Sequence, residues 1–186
     1  NKTFVLFGTG SYIFSGDPSS MTQQSWYGIV DDGTAFTGRD QLKERTIEAV
    51  GTITKTDGTI VSVRAFSEKI ANDMVGKKGW FIDLKDPTAR GERIVTSSKI
   101  ITTIEPTLFA SSIIPDNDPC VPGGSGYLNA VNAFTGARLA SNFFDLNGNG
   151  QFDDLLGGRS VGSVDLGVGM PGEAIPVGDQ IVVGGS

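Results

Sequence analysis

The residues whose types and spacing could carry chemistry lie in one short loop, Asp145-Leu146-Asn147-Gly148-Asn149-Gly150-Gln151-Phe152-Asp153-Asp154. Alternating acidic and amide side chains followed by a glycine fit the pattern of a calcium-binding loop. Ca²⁺ is a hard cation that takes about six to eight oxygen ligands, which alternate residues of a tight loop can supply. The sequence therefore predicts a calcium site whose ligands are the side chains of Asp145, Asn147, Asn149 and Asp153 and the backbone carbonyl of Gln151.

This loop differs from an EF-hand in two respects. Its twelfth position is Leu156 instead of a bidentate glutamate, and no helical pattern flanks it. We expect an isolated EF-like loop in a β protein, with Asp154 in the outer shell and weak binding of roughly 10⁻⁴ to 10⁻³ M. Since Asn147-Gly148 and Asn149-Gly150 are also hairpin dipeptides, a solvated turn without metal is the alternative.

Composition excludes several other kinds of chemistry. The 186 residues contain no histidine, which removes Ser-His-Asp and Cys-His catalysis. The net charge is −6 and no segment collects Lys or Arg, so we expect no nucleic-acid partner. No apolar run reaches 18 residues, so we expect no membrane span in this segment. The single cysteine, Cys120, is either a free thiol or has its partner outside this sequence.

Short β-branched and aromatic runs separated by Gly and Pro predict an all-β chain. One helix is predicted, over Glu68–Met74, and Asp57-Gly58 predicts a tight hairpin. The predicted strands are Thr3–Thr9, Ser25–Val30, Arg45–Thr54, Thr59–Phe66, Lys78–Leu84, Arg93–Thr96, Ile100–Ile104, Thr107–Ile114, Gly126–Ala133, Arg138–Ala140 and Gln180–Val183.

Three blocks along the chain resemble one another. They begin at Trp26, Trp80 and Tyr127, and each passes from an aromatic-headed strand through polar turn residues and glycine to a basic residue beside an aliphatic one. A period near 50 residues is typical of a β-propeller, with a β-sandwich as the alternative. We predict one segment, 1–186, with about three to four blades of a larger ring and the EF-like loop at 145–154. The two tryptophans are expected in the core between blades.

Several stretches together resemble the PilY/PilC family of type IV pilus tip-associated proteins, within their C-terminal β-propeller domain. The most specific is an aromatic strand followed by Gly-Glu-Arg-Ile-Val. The stretches are Phe7-Gly8-Thr9-Gly10-Ser11-Tyr12, Gln24-Ser25-Trp26-Tyr27-Gly28-Ile29-Val30-Asp31-Asp32-Gly33, Gly79-Trp80-Phe81-Ile82-Asp83-Leu84, Gly91-Glu92-Arg93-Ile94-Val95, and Asp118-Pro119-Cys120 with Gly123-Gly124.

The resemblance implies a secreted or outer-membrane-associated protein at the pilus tip. Its expected roles are pilus (fimbrium) biogenesis, control of extension against retraction, cell adhesion and surface sensing. Its expected partners are minor pilins and the host-cell surface. The family's calcium switch is carried over to Asp145, Asn147, Asn149, Gln151 and Asp153. Asn149 stands where aspartate is common, which bears on affinity.

Two other classes compete with this interpretation. The block from Tyr127 to Leu139 is similar to the blade motif of quinoprotein dehydrogenases, where it packs neighbouring blades together. No set of converging ligands for a quinone can be assembled from the sequence, so we predict that the chain is not an enzyme. The remaining alternative is an unrelated secreted calcium-binding adhesive propeller.

Overall fold

The computed structural model describes residues 3–102, 104–116 and 124–185. Besides strands and loops, these residues form two single-turn 3-10 helices, Asp17–Ser19 and Arg39–Gln41. The prediction of an all-β chain is confirmed. The strands are β1 (Thr3–Gly8), β2 (Ser25–Asp31), β3 (Lys43–Arg45), β4 (Ile47–Thr54), β5 (Ile60–Phe66), β6 (Gly79–Asp83), β7 (Lys99–Thr102), β8 (Pro106–Ile114), β9 (Ser125–Asn132), β10 (Leu155–Leu156), β11 (Arg159–Ser160), β12 (Ser163–Val164), β13 (Ile175–Val177) and β14 (Gln180–Val182).

Most of these strands belong to two sheets. Sheet 1 has the order β1-β2-β6-β3, and sheet 2 has the order β4-β5-β12-β9-β8-β7. Neighbouring strands are antiparallel except for β3 and β6, which are parallel. Strands β10–β11 and β13–β14 form two small pairs. Among the described residues neither sheet closes on itself, so the ring of blades stays a prediction.

One face of sheet 1 packs against sheet 2. Trp26 and Trp80 are fully buried there, with their rings edge to face at a centroid distance of 5.8 Å. Alternation along the strands places apolar residues at every second position of this face, which is how a sheet buries one side. The prediction that both tryptophans are core residues is confirmed. The sheet 2 side chains of this core are Phe66, Leu108, Ala110 and Val131, and Ala133, directly after β9, also belongs to it.

A turn following β9, residues 133–136, connects the two sheets and is called here the docking turn. The indole N–H of Trp80 in sheet 1 donates to the carbonyl of Ala133 at 3.0 Å. The indole ring lies over Gly136, where a Cβ would come within 2.3 Å of its Cδ2 atom. Gly136 has φ +64, a conformation that favours glycine, so this close approach requires a residue without a side chain.

Two further side chains of sheet 1 contact the docking turn. The buried guanidinium of Arg45 donates to the carbonyl of Thr135 at 2.9 Å and is itself paired with Asp73 at 2.7 Å. The ring of Phe4 meets the ring of Phe134 edge to face, with centroids 5.2 Å apart. Every residue of the turn is therefore contacted by sheet 1.

The other face of sheet 2 is covered by the segment that follows the docking turn. This second core joins side chains of β5, β8 and β9 to residues from 139 onwards, and the candidate calcium loop lies inside that covering segment. Its buried members are Val61, Val63, Phe109, Leu128, Ala130, Leu139, Leu146, Val161, Val164 and Ala174.

The predicted helix over Glu68–Met74 is wrong. The segment forms turns, and Asn72 has φ +63, which breaks helical geometry. The Asp73 carboxylate accepts the backbone N–H of Ile70 at 3.0 Å as well as the Arg45 guanidinium. Tertiary anchoring of this acidic residue therefore fixes a turn where helix propensity alone favours a helix.

The predicted strand Arg45–Thr54 is two strands in different sheets. β3 ends at Arg45 in sheet 1, and β4 begins at Ile47 in sheet 2, with Thr46 between them. The predicted strands at Arg93–Thr96 and Arg138–Ala140 are also wrong, although Arg93 forms one isolated bridge with Ile113. The alternation of side chains does not reveal that the chain changes sheet at Thr46, because β3 and β4 keep the same alternation.

The hairpin predicted at Asp57-Gly58 is confirmed as the connection of β4 to β5. Gly58 has φ +85, and the Asp57 carboxylate accepts the N–H of Thr59 at 2.8 Å. Strand termini elsewhere differ from the predictions by one or two residues, while the short strands β10 to β13 carry too few residues for a periodic signal.

Candidate metal site

The loop 145–154 is held in place at one end by packing and at its middle by a backbone bond. Leu146 is buried in the second core. The carbonyl of Asn147 accepts the N–H of Thr56, at the tip of the β4–β5 hairpin, at 3.0 Å. The loop is therefore fixed to sheet 2 while the side chains of Asn149, Gln151 and Asp153 stay at the surface.

Asp145 organises the first half of the loop. Its carboxylate accepts three backbone N–H groups, from Gly148 at 2.9 Å, Asn149 at 3.2 Å and Gly150 at 2.9 Å. Gly148 has φ +74 and Gly150 has φ +81, so the chain can curl around this carboxylate. Asp145 thus occupies the centre of the turn, and its role as a calcium ligand stays a prediction.

The next two predicted ligands repeat the same local arrangement. The Asn147 side-chain oxygen accepts the N–H of Asn149 at 2.9 Å, and the Asn149 oxygen accepts the N–H of Gln151 at 2.7 Å. The Asn149 amide nitrogen lies 3.5 Å from an Asp153 carboxylate oxygen. Asn147 and Asn149 therefore lie in the same turn as Asp145, and Asp153 contacts it through Asn149.

Asp154 closes the loop. It is nearly buried, and one of its oxygens accepts the N–H groups of Leu146 at 2.7 Å and Asn147 at 3.2 Å. The last residue of the loop is in this way bound to its beginning. Its expected place in the outer shell stays a prediction.

The donor set of this loop fits a hard cation. It offers carboxylate, amide and backbone carbonyl oxygens, the ligand types that Ca²⁺ takes, and it offers no nitrogen or sulfur ligand. Among the described residues, no three His, Cys, Asp or Glu side chains gather to hold a metal ion. A bound cation would therefore depend on Asn147, Asn149 and the Gln151 carbonyl as much as on Asp145 and Asp153.

A second polar cluster, inside sheet 2, was not found by sequence reasoning. The Arg64 guanidinium forms two bonds with the Glu92 carboxylate, at 2.7 and 2.8 Å, and both residues are buried. Ser112 donates to Glu92 at 2.6 Å, and the Asn129 oxygen accepts from Arg64 at 3.0 Å. The ring of Tyr127 lies 3.7 Å from the guanidinium carbon. The sequence signal that could have found this cluster is the arginine within the apolar run of β5, because a buried charge requires a partner.

Two sequence predictions remain, one on the state of Cys120 and one on membrane spans. Cys120 lies outside the described residues, as do Asp118, Pro119 and Gly123 of the same stretch of the resemblance. Across the described part of the chain, no helix is long and apolar enough to cross a membrane.

Comparison with solved structures identifies the fold of this chain. The crystal structure of the Pseudomonas aeruginosa PilY1 C-terminal domain superposes with a TM-score of 0.76 at 21% identity. The match covers 98% of this chain and 40% of that one. The chain therefore has the fold of part of the PilY1 C-terminal domain. No protein-family model matches the chain.

Sequence comparison then gives the family. A type IV pilus biogenesis factor PilY1 homologue of Xylella fastidiosa is 35% identical over 168 residues, which is 89% of this chain. Type IV pilus biogenesis factor PilY1 of Pseudomonas aeruginosa is 29% identical over 164 residues. The chain spans 13% and 14% of the lengths of these two relatives. The resemblance predicted from the sequence is confirmed, and the chain is a homologue of the PilY1 type IV pilus biogenesis factors.

Proposed function

We propose that this chain is the calcium-binding segment of a type IV pilus biogenesis factor, acting in pilus extension and retraction and in surface adhesion. The observation that carries the proposal is the 35% identity over 89% of the chain to a PilY1 homologue. The proposed location is the cell surface, at the pilus tip or associated with the outer membrane. The proposed partners are minor pilins and the host-cell surface. These relatives are pilus biogenesis factors, which favours this role over the quinoprotein alternative.

In the proposed calcium site, Asp145, Asn147, Asn149, Gln151 and Asp153 supply the oxygens. Bound Ca²⁺ would offset the negative charge of the carboxylates and add ligand bonds across the loop. Asp154 holds the two ends of the loop together through Leu146 and Asn147 and so fixes the spacing at which these oxygens meet.

The surface beside this loop is the proposed contact for a pilus partner. Phe152 lies between two of the proposed ligands and is 61% exposed, and Leu155 is 52% exposed. The Phe152 carbonyl accepts from the Asn142 side chain at 3.0 Å. Ordering of the loop would therefore also order an aromatic side chain that faces solvent, which couples calcium to the surface offered to a partner.

The proposed architecture is a partial β-propeller with sheets as blades. Its support is the way sheet 1 contacts the docking turn of sheet 2, because a propeller requires each sheet to pack face to face against the next. The shared fold with part of the PilY1 C-terminal domain is consistent with a segment of a larger ring.

Replacing Asp145 or Asp153 with alanine is expected to abolish calcium binding while leaving the fold intact. Each replacement removes one of the two carboxylates of the proposed ligand set; Asp153 is exposed, and Asp145 is half-buried and bonded only within the loop. Calorimetric titration with millimolar CaCl₂ measures this, with a dissociation constant of roughly 10⁻⁴ to 10⁻³ M expected for the native chain. Asp57→Ala is the matched control, because Asp57 also caps an exposed turn but lies outside the loop. Absence of heat and of thermal stabilisation in the native chain would contradict the calcium site.

The same replacements are expected to change pilus function in the native host. Asp145→Ala should alter surface piliation and twitching motility, because the calcium-dependent surface would be lost, whereas Asp57→Ala should leave both unchanged. Electron microscopy of surface pili and a twitching-zone assay provide the measurements. If Asp145→Ala loses calcium binding in the calorimeter but retains normal pili and twitching, the switch is refuted while the metal site stands.

A further inference from the structure

Two of the stretches that carry the family resemblance meet in space, and neither contributes to the proposed calcium site. They are Phe7-Gly8-Thr9-Gly10-Ser11-Tyr12, at the end of β1, and Gly91-Glu92-Arg93-Ile94-Val95. A Cβ added at Gly10, where φ is +118, would come within 2.5 Å of the Cβ of Arg93. A Cβ added at Gly91, where φ is +70, would come within 2.3 Å of the Ser20 carbonyl oxygen. The chain segments therefore pack so closely that both positions require glycine.

The connection from β1 to β2 begins in the first of these stretches, and Arg93 from the second stretch holds it. The buried Arg93 guanidinium donates to the carbonyl of Ser11 at 2.8 Å. It also donates to the carbonyls of Asp17 at 3.0 Å and Ser20 at 2.6 Å. A fourth bond, to a carbonyl of its own stretch at 2.7 Å, orients the guanidinium. Residues 11–20, called here the tip loop, are thus bound near both ends to one side chain.

A carboxylate fixes the top of the tip loop. One oxygen of Asp17 accepts the N–H groups of Phe14 at 2.9 Å and Ile13 at 2.7 Å. The same oxygen accepts the hydroxyl of Ser11 at 2.8 Å. Because these bonds favour the charged form, the one from Phe14 most of all, they hold the pKa of Asp17 below its ordinary value of 3.8. The conformation at the top of the loop is therefore set before any partner binds.

The side chains that the tip loop presents to solvent are apolar. Ile13 is 84% exposed and Phe14 is 72% exposed, and Tyr12 beside them is also exposed. No charged residue occurs from Gly8 to Gly16, and the Asp17 carboxylate is bonded to backbone N–H groups. Tyr12, Ile13 and Phe14 are called here the apolar tip. Large apolar side chains held in water in a fixed conformation indicate an interaction site, because little conformational freedom remains to be lost on binding.

We propose that the apolar tip inserts into an apolar cleft of another protein of the pilus. That the partner belongs to the pilus rests on the proposed function, whereas the tip rests on the contacts of Arg93 and Asp17. An uncharged tip requires an uncharged cleft, because a charged group buried against it would lose its water without gaining a partner. Aromatic residues are enriched at the buried centre of protein interfaces, and Tyr12 and Phe14 flank Ile13 in the tip.

A lipid bilayer fits the same tip less well. The side chains of Ile13 and Phe14 together have about the apolar content of one myristoyl chain, which alone gives only marginal membrane binding. Stable binding takes a second signal such as a basic patch, and no Lys or Arg occurs from residue 3 to residue 38. The Arg93 guanidinium under the loop is buried, so it is not available to lipid headgroups.

The rest of the same polypeptide also fits the tip less well. In a propeller, neighbouring sheets pack on the faces of a sheet. The tip loop instead leaves sheet 1 at one end, between β1 and β2. Its conformation is already fixed by Arg93 and Asp17, so it needs no further element of the chain to order it.

Photo-crosslinking from the apolar tip in piliated cells tests this proposal. With p-benzoylphenylalanine in place of Phe14 of the full-length polypeptide, illumination and peptide mass spectrometry should give a crosslink to an apolar segment of another pilus protein. Val75 is the control position, since it is 76% exposed but precedes β6 and so lies at the other end of sheet 1, and it should not give this product. Crosslinks only to phospholipid, to the same polypeptide or to a second copy, or no crosslink at all, would overturn the proposal.

An affinity measurement gives a second result. The pilus protein captured by the crosslink is purified and titrated with the full-length polypeptide. Phe14→Ser should raise the dissociation constant at least about tenfold, because a buried aromatic anchor is lost, and it should leave the unfolding midpoint unchanged. Val75→Ser is the matched control and should bind as the native polypeptide does. Equal affinities of Phe14→Ser and the native polypeptide would overturn the insertion of the tip but leave the pilus role, whereas absence of binding by the native polypeptide would count against both.

Discussion

Replacing Glu92 with glutamine is expected to destabilise the fold by about 3 kcal/mol at neutral pH. The change keeps the shape of the side chain but leaves the buried Arg64 guanidinium without the carboxylate that forms two bonds with it. Breaking a buried ion pair costs about 3 to 5 kcal/mol, because an uncompensated charge remains away from water. The lower end applies here, because an Asp86 carboxylate oxygen stays 3.8 Å from the guanidinium. Urea denaturation measures the free energy of unfolding.

The same pair makes a pH prediction. Burial alone would raise the pKa of Glu92, but the charge of Arg64 and the hydrogen bonds from Arg64 and Ser112 outweigh burial and hold this pKa below its ordinary value of 4.5. A lowered folded-state pKa contributes stability that is present above the ordinary pKa and is lost as pH falls through the folded-state value. The difference in unfolding free energy between native chain and Glu92→Gln should therefore shrink below pH 4.5.

Glu173→Gln is the matched control for this prediction. Glu173 pairs with Lys99 at 2.6 Å, but both side chains are about 40% exposed. An exposed pair contributes about 0 to 1 kcal/mol, so the control should lose little stability. Similar losses for Glu92→Gln and Glu173→Gln would refute the account of the buried pair.

Replacing Gly136 with alanine is expected to cost about 3 kcal/mol of unfolding free energy, from two sources. A residue with a side chain at φ +64 pays about 1 to 2 kcal/mol. Its Cβ would also come within 2.3 Å of the Trp80 ring, and that ring is fixed by its bond to Ala133. Overpacking of this kind costs about 1 to 3 kcal/mol. Tryptophan fluorescence should shift to longer wavelength as the indole becomes solvated.

Gly58→Ala separates the two sources. Gly58 has φ +85, but nothing lies within 4 Å of an added Cβ, so only the backbone cost applies. The loss for Gly136→Ala should exceed that for Gly58→Ala by about 1 to 3 kcal/mol. Equal losses, with unchanged fluorescence, would show that contact between the indole and the docking turn contributes nothing to stability.

Sequence reasoning succeeds where the pattern is local. The hairpin at Asp57-Gly58 needs only a turn dipeptide between two alternating strands. The curl of the loop around Asp145 follows from the spacing of its amide side chains and glycines, and in the structure the N–H groups of Gly148 and Gly150 donate to this carboxylate. The metal itself stays a prediction, since the same bonds also form in a solvated turn.

Sequence reasoning fails where distant residues decide the outcome. The segment around Asp73 forms a turn because Arg45, 28 residues earlier, binds the Asp73 carboxylate. Local helix propensity takes no account of such a distant contact. Arg64 and Glu92 are likewise separated by 28 residues, and their pairing becomes visible only when β5 and its neighbours are assembled. The docking turn belongs to the block that begins at Tyr127, which was visible in the sequence, while its contact with sheet 1 required Trp80 to be placed against it.

The single residue between β3 and β4 has a mechanical consequence. Thr46 is the whole covalent connection between sheet 1 and sheet 2 at this point, and its carbonyl and N–H are bonded to Ser67. On its sheet 1 side, Arg45 is bound to both Thr135 and Asp73. A tensile load across this connection therefore meets no slack chain, and it falls directly on the hydrogen bonds of Thr46 and Arg45.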